Sequence, residues 1–95
     1  MNDGGMINSY STKRDLLRER IGHLPEPRIW TPKHLAEFFG MTVYWVRHQT
    51  ERKSTDPPPR VHGTSQLRFD TQSLEFLLWL ARRLGIDISD LEGRH

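Results

Sequence analysis

Arg47, Arg52, Lys53, Arg60 and Arg68 fall within one short reach of the chain, opposed there only by Glu51 and Asp56. The potentials of cations that lack nearby partners sum over a surface, so a cluster of this kind suits a polyanion. The bland alternative is a solvated face, which five basic residues do not exclude by themselves. Their setting is unusual, however. Pro57, Pro58 and Pro59 stiffen the approach to Arg60, and a turn at Gly63 stands between Arg60 and Arg68 in the stretch "DPPPRVHGTSQLRFD".

Other chemistries find little support. The chain has no cysteine, hence no disulfide framework and no thiolate metal site, and a reducing cytoplasm is the expected compartment. His23, His34, His48, His62 and His95 show no ligand spacing, so neither a metal nor another cofactor is expected. No carboxylate pair sits in an apolar frame and no Ser/His/Asp setting is recognisable, which argues against an enzyme. The longest apolar run, "FLLWLA", is far short of the roughly 20 residues that span a bilayer, and the N-terminus has no apolar signal region. At 95 residues with a formal charge of +2, the chain suffices for one domain.

Residues 1–10 carry no periodic pattern and are expected to be disordered. Thr12 and Asp15 form a capping-box pattern ahead of a short helix over 13–21 that places Leu16, Leu17 and Ile21 on one face, with Gly22 as its stop. Residues 11–29 thus read as a helix and connector. Thr31 followed by Pro32 predicts a second helix, ended by Gly40, and Thr42 predicts a third over 43–50. Only Gly40 and Met41 precede that third cap, so the two helices must meet steeply.

Farther along, "RVH" and "QLRF" read as two short strands around "GTS". Asp70 can cap a last helix terminated by Gly85, leaving 86–95 as a tail. That helix carries two apolar stripes: Leu74, Leu77, Leu78, Ala81 and Leu84 on one, Phe76, Trp79 and Leu80 on the other. One core face needs only one of them. The N-terminal helix, Ile86, Ile88 and Leu91 of the tail, or a second copy of the chain must cover the rest.

In "LAEFFGMTVYWV", small Ala36, Gly40 and apolar Val46 keep the spacing of a helix-turn-helix, in which Ala36 allows close approach and Val46 seats the second helix. Gln49 stands where that helix usually has an apolar residue, so an early end is expected. Together with "PPPRVHGTSQLRFDTQSLEFLLWL", the chain over roughly 30–81 resembles the small winged helix-turn-helix proteins related to MerR regulators and phage excisionases, which implies a DNA-binding domain over 30–85. The fold class this implies is mainly α with a small β-hairpin.

The resemblance implies binding to double-stranded DNA, with helix 43–50 in the major groove and the wing, 59–69, on the backbone or minor groove. Thr42 would cap the helix facing the phosphates. Val43, Tyr44, Arg47 and His48 would face base edges, with Arg47 foremost, since arginine paired to guanine is the commonest specific contact. Arg52, Lys53, Arg60, His62 and Arg68 suit phosphates, with Thr64, Ser65 and Gln66 as neutral donors at the wing tip. Arg68 has a purely structural alternative in Asp70 or Glu75, and Tyr44 and Trp45 compete for one place in the core. A small transcriptional regulator is the favoured role; an excisionase-type factor that bends DNA, or an interaction module using the Phe76, Trp79 and Leu80 face, are the alternatives. The partners implied are DNA, a second copy in a homodimer or cooperative oligomer, and a recombinase or RNA polymerase, without a membrane.

Overall fold

A computed structural model describes residues 12–51 and 53–92. The disorder expected of 1–10 and the phosphate contact assigned to Arg52 lie outside the described residues. The order is α1 (Lys13–Ile21), β1 (Ile29–Trp30), α2 (Pro32–Phe39), α3 (Val43–Gln49), β2 (Phe69–Asp70) and α4 (Leu74–Leu84). The architecture is mainly helical with one small antiparallel sheet, pairing Ile29 with Asp70 and Trp30 with Phe69.

Local chemistry sets the helix starts. Thr12 and Asp15 exchange hydrogen bonds at the head of α1, each satisfying a backbone N–H that the helix leaves unpaired. At α2, Thr31 is the cap, Pro32 occupies the first turn, and the His34 ring plays the reciprocal part usually taken by Glu. Gly40 ends α2 in the left-handed conformation at φ 67°, where a side chain would be strained.

The principal core draws its buried residues from every element but α1, which reaches it through half-buried Ile21. Trp30, Leu35, Ala36, Val46, Phe69, Phe76, Trp79 and Leu80 are all buried in it. Trp30 meets Phe76 edge-on with ring centroids 5.9 Å apart, and its indole N–H donates to the Pro25 carbonyl at 3.2 Å. A second cluster joins Leu17 of α1, Leu77 and Ala81 of α4, and Ile88 and Leu91 beyond it. Burying an aliphatic or aromatic side chain of this size contributes about 1.5–3 kcal/mol. The Phe76, Trp79 and Leu80 stripe is covered within one chain, as are Leu77 and Ala81 of the other, while Leu74 and Leu84 stay exposed.

Several expectations are corrected. The Phe76, Trp79 and Leu80 face is no interaction surface, because all three are wholly buried against α2, α3 and the strands. The cover offered by the tail is, by contrast, present: Ile88 and Leu91 are buried against Leu77 and Ala81 of α4. Asp70 does not cap α4; Ser73 does, accepting the Phe76 N–H at 3.2 Å. Asp70 belongs to β2, where its carboxylate accepts the Gln72 N–H at 2.9 Å and bends the chain toward the helix. Nor do "RVH" and "QLRF" form two paired strands. A single backbone bond, Val61 N–H to the Arg68 carbonyl at 2.8 Å, joins those arms, while the end of the second arm pairs with β1. Proline lacks the N–H a ladder needs, and Trp30 and Phe69 share the core, so pairing goes to the element that buries both rings.

Candidate nucleic-acid interface

α3 is only seven residues long and splits sharply into two faces. Val46 is fully buried and Trp45 packs half-buried against Phe39, ring centroids 5.5 Å apart. With 3.6 residues per turn, these two inward positions turn Val43, Tyr44, Arg47 and His48 outward. All four are exposed, Tyr44 to 74%. The competition between Tyr44 and Trp45 is thereby resolved in favour of Trp45 as the core residue. Thr42 fixes the start of the helix, its hydroxyl accepting the Trp45 N–H at 3.0 Å.

The outward face is polar and aromatic. Tyr44 and His48 lie one turn apart with ring centroids at 5.2 Å, and His48 Nδ1 is 3.9 Å from the Glu51 carboxylate. Among the described residues Arg47 makes no ion pair. Its guanidinium is therefore available to an external acceptor, and a planar fork of donors matches a base edge or a phosphate. Thr50 closes α3 by donating its hydroxyl to the Arg47 carbonyl at 2.8 Å.

The arm from 59 to 68 carries the second set. Arg60, His62, Thr64, Ser65 and Gln66 are exposed, as is Lys53 in the loop before it. Gly63 turns the chain at φ 83°, and Thr64 accepts the Gln66 N–H at 3.2 Å, which tightens the tip. Arg68 is half-buried and donates to the Leu67 carbonyl at 2.8 Å. It pairs with neither Asp70 nor Glu75, the structural alternative considered for it, because Arg28 takes Asp70 in two bonds of 2.9 and 3.1 Å. Those hydrogen bonds hold the Asp70 carboxyl below its ordinary value, aided by the Gln72 N–H and opposed by partial burial. Thr50, which caps the end of α3, and Arg60 and His62 of the arm line one groove of about 510 Å³ with Glu75, Leu78 and Arg82 of α4, so the arm lies near the C-terminal end of α3.

Three positioning residues escape a reading of the sequence. Asp56 accepts the Trp79 indole N–H at 2.8 Å through its main-chain carbonyl, and its carboxylate accepts from Arg82 at 3.0 Å. Arg83 donates to the Gln49 side-chain oxygen at 2.7 Å and to the Asp56 carbonyl at 3.2 Å, with its guanidinium 5.1 Å from the Trp79 ring centroid. Gln49 does end α3 as its polarity suggests, and Arg83 is the reason a polar residue is tolerated there. At the sequence level Arg82 and Arg83 signal only a favourable charge at a helix C-terminus. Among the described residues no cluster of His, Asp or Glu could hold a metal, and no helix is long and apolar enough to cross a membrane. No known protein family matches the chain, and neither does a curated protein or a solved structure.

Proposed function

We propose that the chain is a sequence-specific double-stranded DNA-binding protein of the winged helix-turn-helix kind, acting as a small transcriptional regulator. One observation carries the reading: the outward face of α3 exposes Tyr44, Arg47 and His48, and the exposed Arg60 of the arm lines a groove at the end of that helix. α3 would lie in the major groove, and the arm along the neighbouring backbone. The close junction of α2 and α3 through Gly40, Met41 and Thr42 supports this docking, since it leaves one helix as platform and the other as probe.

Binding to duplexes from a random-sequence pool, followed over a range of salt, tests the proposal. With about four or five phosphates neutralised, log affinity falls with log salt at a slope near −4. The reading fails if no duplex, including DNA upstream of the chain's own gene, is bound in a salt-dependent way. Footprinting then assigns the role: a palindromic site fits a regulator, whereas tandem sites with a bend reassign the chain to excisionase-type work.

A further inference from the structure

Seven residues give α3 little apolar purchase. Val46 is its one fully buried residue and Trp45 is only half-buried, so apolar packing holds the near end of the helix better than the far end. The far end, and the loop that leads to the arm, meet at one side chain. The Arg83 guanidinium bonds Gln49, the last residue of α3, at 2.7 Å and the carbonyl of Asp56 at 3.2 Å. Arg83 also stands over Trp79, whose own N–H holds the same Asp56 carbonyl at 2.8 Å. Trp79 is wholly buried in the principal core, so this anchor has little freedom to drift.

We infer that Arg83 is a positioning residue for the DNA interface, fixing α3 and the basic arm relative to each other without touching DNA itself. The inference rests on the DNA reading proposed above. Base readout demands that several donors meet base edges together, and small misplacements are costly; contacts to phosphates tolerate more movement. Loss of the Arg83 bridge therefore acts on sequence preference, and the charges that give salt-dependent affinity remain in place. Both bonds leave one terminal nitrogen, Nη2, while Nε lies 4.0 Å from the Asp56 carboxylate, so a lysine ammonium on its shorter stem replaces the bridge only in part.

Arg83→Met retains an unbranched apolar stem over Trp79 and removes the guanidinium. The expected result is roughly a tenfold loss of preference for a selected duplex over a random one, the worth of a hydrogen bond from a charged donor, with random-duplex affinity and salt slope unchanged. Arg83→Lys recovers part of the loss. Gln49→Ala, which leaves Trp79 untouched, lowers preference in the same direction, and the double variant is no worse than the poorer single one. Equal weakening on both duplexes, no change on either, or additive losses in the double variant overturn the inference. Amide exchange supplies a readout independent of DNA: the Val61 N–H, bonded to Arg68 across the arm, exchanges faster in Arg83→Met if the bridge orders the arm. Unchanged exchange there overturns the bridge even if no duplex binds, whereas absence of salt-dependent binding by the unaltered chain counts against the DNA reading alone.

Discussion

The buried indole of Trp79 donates to the main-chain carbonyl of Asp56 at 2.8 Å, joining the last helix to the loop between α3 and the arm. A wholly buried N–H is costly to leave unpaired, so the loop is held where that carbonyl must be. Trp79→Phe keeps most of the ring packing and deletes the donor. It is expected to lower stability by about 1–3 kcal/mol, from the lost bond and the smaller ring. Urea unfolding followed by far-UV circular dichroism measures the change; an unaltered midpoint would show that the Asp56 anchor contributes nothing.

Arg47→Ala should abolish sequence preference and leave weak, salt-dependent binding. An arginine paired to a base edge contributes about 1–3 kcal/mol of discrimination, and Arg47 has no ion pair of its own to lose among the described residues. Competition between selected and random duplexes reads this directly. Equal losses on both would move Arg47 from base readout to phosphate contact.

Arg68→Ala should weaken binding to all sequences alike and flatten the salt slope by about one unit. Among the described residues its side chain's only hydrogen bond is to the carbonyl of its neighbour Leu67, and the substitution leaves its own carbonyl in place for Val61, so the fold has little to lose. A large drop in melting temperature in this variant would mark Arg68 as structural.

The features legible in the sequence are those decided within a few residues. The Thr12 and Asp15 capping box, Thr31 before Pro32, Gly40 and the Thr42 cap each act over a single turn, and each appears in the structure where its spacing places it. What the sequence concealed depends on long separations. β2 pairs with Ile29 and Trp30 rather than with the near arm, because burying Trp30 and Phe69 together outweighs closing a local hairpin. Asp56 acts through its carbonyl, a group every residue has, so its side chain carries no signal for that bond. The cap of α4 went to Ser73 rather than Asp70 because Asp70 is held in the sheet by Arg28, a partner 42 residues away.

The same Arg28 and Asp70 pair gives the acid sensitivity a defined sign. Hydrogen bonds from Arg28 lower the Asp70 pKa in the folded chain, so the pair stabilises the fold above the ordinary carboxylate value near 3.9. That contribution is lost as pH falls through the depressed folded value. Asp90 with Arg20, and Asp87 with the Ser89 N–H, shift in the same direction. Asp70→Asn should therefore lower the melting temperature at pH 7 and narrow the gap between pH 7 and pH 3. A gap as wide as in the unaltered chain would mean that Asp70 takes no part in acid unfolding.

The platform under α3 depends on an unusual cap. The Thr31 N–H donates to His34 Nδ1 at 2.9 Å while the Thr31 hydroxyl accepts the His34 N–H at 3.4 Å. Nδ1 also lies 3.0 Å from the Thr31 hydroxyl oxygen, which seats the ring against the cap residue itself. Glutamate at this position can make the same reciprocal bond, and its charge is favourable at a helix N-terminus. His34→Glu should then match or exceed the stability of the unaltered chain, whereas Thr31→Ala should cost about 1 kcal/mol because it removes the acceptor for the His34 N–H. Urea midpoints at pH 7 separate the two. If His34→Glu destabilises as much as Thr31→Ala, the ring holds α2 through its packing near Trp30 and Phe38 rather than as a cap.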